Sequence, residues 1–389
     1  MRDSDLIVIG GGPVGATLAL ALHDAGLAVT LLETRPAGVF STDPRMLALS
    51  MGSRLILQRL GVWQTLAPGV TSIGTIHVSQ RGRLGRTVIS AGVEDQEALG
   101  YVLPYAALAN ALDRKLLESG VATIINQASA VGLEVKDTHA TVRYEHAGAT
   151  LELDAKLAVV ADGGRSLNEL PGMQRQVRDY GQSAVVGHVS CEFPHGNVAY
   201  ERFTPEGPVA LLPEGERSFA LVWTVNPDAA AILCGLNESE FLQRLHCHFG
   251  DRVGRFLTVS GRASFPLKLV TVRPVTASHL AVIGNAAQTL HPVAGQGFNL
   301  GLRDAWEMAV TLQQTDPEAI GSAVMLARYR ARRKMDTGGG IFFTDLLVRS
   351  FSNDWPMLGM ARGAALGVLD LFPAAKHFVA RKMSFGANG

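Results

Sequence analysis

The sequence predicts an α/β protein in which a parallel-sheet domain is interrupted by a mostly antiparallel sheet and followed by a helical C-terminal segment. Three observations carry this. A glycine-punctuated β-α-β unit opens the chain, short alternating strands bounded by Pro and Gly run from 184 to 225, and a second glycine-rich turn leads from a buried strand into a helix at 284–301.

Residues 5–9 form a short apolar strand, 13–25 have helical periodicity, and 28–33 are strand-like again. Residues 53–66 and 106–118 read as amphipathic helices. Residues 130–135, 140–144 and 151–160 read as strands, the last running into the loop signal Ala161-Asp162-Gly163-Gly164. From 184 to 213 and from 218 to 225 short strands alternate with no long helix between them, the pattern of an antiparallel sheet. Residues 280–283 then supply one more buried strand and 298–313 a helix, which returns the chain to the first domain. From Ile341 onward the pattern is helical, with Phe342, Phe343, Leu346, Leu347 and Phe351 on it and Pro356 and Pro373 dividing it. The expected organisation is a discontinuous first domain of residues 1–72, 98–180 and 266–340, a second of 73–97 and 181–265, and a C-terminal helical segment, 341–389.

At 389 residues and 47% hydrophobic the chain has ample core. Lys and Arg number 35, as do Asp and Glu, so no net field attracts a polyanion and nucleic acid is not an expected partner. Cys191, Cys234 and Cys247 lack the paired spacing of a zinc site or a disulfide framework, which points to a reduced, cytoplasmic setting. His246 and His248 flank Cys247 but diverge on a helix, so no metal is expected. A core strand follows Met1 almost at once, leaving no room for a signal peptide, and no apolar run reaches the roughly 18 to 20 residues that span a bilayer.

Gly10, Gly12 and Gly15 form Gly-x-Gly-x-x-Gly around Pro13 and Val14, between the first strand and the first helix. This is a Rossmann-type turn: Gly10 permits the tight bend, Gly12 lets a pyrophosphate approach the backbone, and Gly15 lets the helix lie close on the sheet. The helix start offers free N–H groups and partial positive charge. Glu33, at the end of the second strand, is placed to accept hydrogen bonds from ribose hydroxyls and disfavours a 2′-phosphate there. FAD and NAD share this half, so the choice falls to the later turn. There Gly295 and Gly297 let backbone amides approach a flat ring, and the following helix aims its positive end at it, which suits the charge of a reduced flavin.

The run Gly284-Asn285-Ala286-Ala287 with His291-Pro292 and Gly295-Gln296-Gly297-Phe298-Asn299 resembles the Gly-Asp motif of the class A flavin-dependent aromatic hydroxylases. Asn285 stands where that family has Asp, removing a charge while keeping an acceptor and adding donors. Asp162-Gly163 resembles the family's Asp-Gly motif, with Glu169 in place of a usual arginine, and Asp43-Pro44-Arg45, before a helix, resembles its flavin-contacting arginine segment. The resemblance runs from Leu6 to about Phe372. It implies the glutathione-reductase-like fold of p-hydroxybenzoate hydroxylase, with FAD held by Gly10, Gly12, Pro13, Val14, Gly15, Glu33, Arg45, Asp162, Asn285, Gly295, Gly297 and Asn299. It also implies NAD(P)H as a transient donor with no Rossmann unit of its own, and molecular oxygen delivered to an aromatic ring through a C4a-hydroperoxyflavin. His291 and Pro292 flank the flavin loop, where His291 has either a proton role or a structural one. Tyr200, Phe203, Leu211 and Trp223 lie on strands that resemble the family's substrate sheet.

Three further runs, Gly61-Val62-Trp63-Gln64 with Ile76-His77-Val78-Ser79, Glu201-Arg202-Phe203-Thr204 through Leu212-Pro213, and the asparagine-bearing turn itself, are similar to the ubiquinone-biosynthesis branch, nearest its 2-polyprenyl-6-methoxyphenol hydroxylases. That branch implies a prenylated phenol as substrate. It also implies peripheral contact with the inner membrane or with a biosynthetic complex, with 341–372 as the docking surface and homo-oligomers allowed. A hydroxylase of a soluble aromatic and a non-catalytic flavin-holding component of a complex stand as the alternatives.

Overall fold

The computed structural model describes residues 4–82, 85–94, 96–167, 169–291, 295–351 and 370–386, with 341–351 as backbone alone. Ser4–Ile9 lies at the centre of an eight-stranded sheet. It pairs in parallel with Val29–Glu33 on one side and Ala149–Val160 on the other, and Thr123–Asn126 and Leu280–Val282 extend the parallel run outward. These strands are aliphatic at almost every position because both faces are covered. The helices Pro13–Ala21, Tyr105–Ser119 and Gln296–Gln313 pack Leu18, Leu108, Leu112 and Leu302 on Leu6 and Val8. On the other face, Ser129–Val135 and Ala140–His146 bring Ala130, Val142 and Tyr144 against Ile7 and Ile9.

The stretch expected as one helix over 53–66 is two, Met51–Arg59 and Trp63–Leu66. Between them Gly61 takes φ +69°, the left-handed turn that ends a helix. Met46–Ser50 pairs with Gly100–Pro104, and Thr71–Ile73 joins them in a small three-stranded sheet. Arg45 therefore precedes a strand and not a helix.

The second large sheet is mostly antiparallel, as expected. It is built on Gln174–Cys191 and Phe256–Arg273, 18 residues each and paired along most of their length. Gly181, φ +64°, lies in the register shift between Asp179 and Gln182, so a break in the sequence pattern is a bulge within one strand. Ser218–Val225, Val209–Glu214, Val198–Phe203, Thr75–Gln80 and Arg86–Ser90 complete the sheet outward. Two helices, Pro227–Gly235 and Glu238–Phe249, started by the caps Asn226 and Asn237, cover one of its faces.

The C-terminal helix begins well before Ile341: Ala323–Phe351 is a single helix that runs through Gly338, Gly339 and Gly340. At Gly340 the helix passes close to Leu300, where a methyl would lie 3.0 Å from its Cδ1. Pro356 and the residues around it lie outside the described residues, as do the side chains of Phe342 to Phe351. A last helix, Pro373–Phe385, returns to the body of the protein, with Ser384 against Gly52.

Candidate active site

The front turn is as tight as its glycines require. A methyl at Gly10, where φ is +104°, would lie 2.6 Å from the Asp162 Cα, and one at Gly15 would lie 2.0 Å from the Gly10 carbonyl oxygen. At Gly12 no atom lies within 4 Å of that position, and no side chain caps the helix that starts at Pro13. The free N–H groups of its first turn thus face open space, the arrangement that receives a phosphate.

Glu33 sits beside Gly11 and is nearly buried. Burial pushes its carboxyl up, but the Arg35 side chain at 3.2 Å and the Arg35 N–H at 2.8 Å outweigh it and hold the group below the usual carboxylate range. It is therefore an anion and an acceptor at neutral pH. Arg35 also donates to Asp113 at 3.0 Å, and burial holds the Asp113 carboxyl above its ordinary value in spite of that bond. Gly11, Glu33, Arg35, Phe40, Asp113 and Asn126 line an open groove beside the front turn.

The rear turn meets the front one at Val14. Val14 lies where a methyl on Gly284 or Gly301 would touch it, at 3.1 and 3.0 Å. Asp304 fixes the turn by accepting from the Gly284 N–H at 3.0 Å and the Gln288 amide at 2.7 Å, and it is itself paired with Arg333 at 2.6 Å. Arg333 bonds Asp336 at 2.5 Å, and Arg303 donates to the same carboxylate at 2.7 Å. All but Arg303 are nearly fully buried. This charge network ties the turn to the helix Ala323–Phe351.

Asn299 clasps the rear turn to the Met46–Ser50 strand. Its Oδ1 accepts from the Ser50 N–H at 2.8 Å and the Ser53 hydroxyl at 2.7 Å, while its Nδ2 donates to the carbonyls of Ala48 at 2.9 Å and Gly295 at 2.8 Å. Gly295 takes φ +60° and opens the helix with no side-chain cap, so a second helix start lies at the end of this turn. A methyl on Gly297 would lie 3.9 Å from the Leu290 Cβ, an ordinary contact, and Asn285 is exposed on the short turn Gly284–Ala286. His291 is buried with its ring 5.5 Å from that of Tyr180, and burial pulls its pKa down to about 4, so it is neutral at physiological pH. Pro292 lies outside the described residues.

Arg45 forks onto Asp43, which holds the Asp43 carboxyl low, and lies 5.1 Å over the Tyr105 ring beside Phe298 at the mouth of the turn. Asp162 uses its carboxylate on its own loop, accepting from the N–H groups of Gly164 at 2.8 Å and Ser166 at 2.7 Å and from the Ser166 hydroxyl. Its backbone, against Gly10, is what it presents to the front turn.

A cavity open to solvent lies beside the rear turn, between Ser50, Gln296, Ile76, Ile89, Leu99 and, from the last helix, Met383. The strand residues expected to face a substrate do not line it. Leu211 and Trp223 are buried and Tyr200 half-buried in the core that the sheet forms with the helices at 227–249, and Phe203 is buried at its strand's end. For Tyr200, Leu211 and Trp223 period-2 alternation decides this: the opposite face, that of Ile76, Ala199 and Leu212, is the one turned to the cavity, while Phe203, on that same face, is buried at the strand's end. Sequence patterning could not tell which face the two helices would cover.

These features fit FAD: uncapped helix starts and glycine backbones would offer N–H donors to a pyrophosphate and a ring, and an ionised Glu33 would offer an acceptor to ribose. The FAD-binding-domain family model matches residues 3–336. The chain is 33% identical to ubiquinone hydroxylase UbiL of Rhodospirillum rubrum, covering 98% of this chain and 89% of the relative. It is 30% identical to 3-demethoxyubiquinol 3-hydroxylase of Escherichia coli over 94% of each. The crystal structure of p-nitrophenol 4-monooxygenase from Pseudomonas putida shares the fold, with a TM-score of 0.78, 19% identity and 99% of each chain covered. The chain therefore belongs to the FAD-binding-domain family of flavin-dependent monooxygenases, the one that holds the ubiquinone hydroxylases.

Proposed function

We propose that this monooxygenase hydroxylates the aromatic ring of a polyprenyl phenol on the way to ubiquinone, taking electrons from NAD(P)H. FAD, when bound, supplies the redox chemistry: it accepts a hydride and activates oxygen for transfer to the ring. The chain's own residues do the rest. Gly12 and the start of the Pro13–Ala21 helix receive the pyrophosphate, Glu33 the ribose, and the N–H groups beyond Gly295 the ring. The observation that carries the substrate class is the apolar cavity against the rear turn, walled by Ile76, Ile89, Leu99 and Met383. Such walls exclude water from a site where water diverts oxygen to peroxide.

A polyprenyl tail must come from a bilayer. Among the described residues no helix is long and apolar enough to cross a membrane. Leu371, Phe372 and Phe378 are exposed at 78%, 59% and 62%, and Arg381 and Lys382 lie on the same helix as Phe378, the mixture that binds an anionic lipid surface. That helix also walls the cavity through Met383. The surface thus lies next to the site it would serve.

Incubation with a 2-prenylphenol, NAD(P)H and labelled oxygen, followed by mass spectrometry, should show one labelled oxygen on the ring. Equal turnover of tail-less phenols would assign a soluble aromatic instead. A flavin spectrum with no substrate-stimulated NAD(P)H oxidation would reduce the protein to a flavin-holding partner.

A further inference from the structure

Val186, Val222, Ala210, Glu201 and Val78 stand side by side in register across five strands of the large antiparallel sheet. All five are half-buried. Their neighbours on the other face, Val185, Trp223 and Val209, are no more than 3% exposed beneath the helices at 227–249. The row therefore lies on the sheet face turned away from those helices. Two residues along the same face, Ile76 lines the cavity with Gln296, at one end of the rear turn. In the other direction the strand Gln174–Cys191 leads back from Val186 to Tyr180, whose ring meets His291 at the other end of that turn. Ile76 and Tyr180 thus tie the sheet that carries the row to both ends of the rear turn.

Glu201 is the one ionisable group in this apolar row, and it has no hydrogen-bond or ion-pair partner among the described residues. A half-buried carboxyl in apolar surroundings with no partner of its own is available to a ligand. We infer that Glu201 recognises the ring hydroxyl of the aromatic substrate, which makes it a specificity-determining residue of the site. This rests on the aromatic-hydroxylase reading given above. Burial, with nothing to offset it, pushes the carboxyl up to about 8, so at neutral pH it carries its proton. A protonated carboxyl donates once and accepts once, the complement of a phenol hydroxyl that does the same. A methyl ether keeps the acceptor and loses the donor.

The test uses the FAD-loaded full chain with a short-tailed 2-prenylphenol and its methyl ether, read by perturbation of the flavin spectrum from pH 6 to 10. The wild type should prefer the phenol, on the order of tenfold for one buried hydrogen bond. That preference should grow as pH rises through about 8, because a carboxylate accepts from a phenol and repels an ether oxygen. Glu201→Gln should keep a preference that is flat with pH, and Glu201→Leu should lose it while retaining FAD. Without FAD, infrared titration should show a carboxyl C=O band disappearing near pH 8 in the wild type and absent from Glu201→Gln. If Glu201→Leu discriminates as the wild type does, or Glu201→Gln keeps its pH dependence, the inference falls alone. If the wild type binds no phenol, the proposed function falls with it.

Discussion

Replacing Asn299 with Ala should loosen the rear turn from the Met46–Ser50 strand without touching any glycine of either turn. The change deletes four hydrogen bonds at 2.7 to 2.9 Å. It leaves the Ser50 N–H, the Ser53 hydroxyl and the carbonyls of Ala48 and Gly295 unmet, in a place where Asn299 itself is 2% exposed. At ~0.5–1.5 kcal/mol each the loss lies between about 2 and 6 kcal/mol, and relaxation of Ser53 toward Ser50 favours the lower half. If about 2 kcal/mol of this is ordering of the rear turn that FAD must then restore, the FAD dissociation constant rises roughly thirtyfold. Titration of FAD into cofactor-free protein gives the affinity, and urea unfolding gives the stability. Asn299→Asp adds a test of direction: it keeps both bonds from Ser50 and Ser53 but sets a carboxylate against two carbonyls, so it should weaken FAD at least as much as Ala. Wild-type stability and FAD affinity in both variants would show that Asn299 does not hold the turn.

Three other perturbations discriminate equally well. Gly12→Ala meets open space at φ −63°, so the cofactor-free protein should gain ~0.4–1 kcal/mol in urea unfolding while FAD affinity drops tenfold or more; equal FAD affinity would remove the pyrophosphate from this turn. Asp304→Asn strips the charge partner of buried Arg333, and calorimetry should record ~3–5 kcal/mol lost, with Asp336 limiting the damage; a loss below 1 kcal/mol would make the network ornamental to the fold. His291 and His248 are both drawn down to about 4 by burial, His248 further by Arg81 and Arg202. Their native forms are neutral, so the stability they contribute is full above the unfolded value of about 6.5 and is lost as pH falls toward 4, at ~1.4 kcal/mol per unit for each. His291→Asn should flatten the urea midpoint between pH 6.5 and 4, and an unchanged slope would refute the assignment.

The cofactor half of the site was legible because its chemistry is backbone chemistry. Gly10, Gly15 and Gly295 are forced by close approach or positive φ, and such constraints show in sequence as glycine at fixed spacing. Asn299 was singled out for the right segment, yet its side chain proved to be tied up within the protein. Asp304, Arg333 and Asp336 were missed, since buried ion pairs between two helices have no local signature and look like the charged face of any exposed helix. Tyr200, Leu211 and Trp223 were chosen as bulky residues on the correct sheet. Their face was decided by the helices 227–235 and 238–249, and nothing in the strand alternation announces which side a later segment will cover. Glu201 had the opposite problem: its neighbours in sequence are ordinary, and only register across five strands shows the apolar surface around it.

Val14, wedged against Gly284 and Gly301, has a consequence for how the holoprotein is made. The nucleotide-gripping loop leaves the ribosome first and its counterpart only in the last third of synthesis, with the whole antiparallel sheet translated between them. A nascent chain can hold the adenylate end early, but the isoalloxazine end has nowhere to settle until the helix that starts at Gln296 is out and docked. Flavin capture must then come late, and a stall or truncation before that helix yields a chain that passes for a dinucleotide-binding domain yet stays colourless.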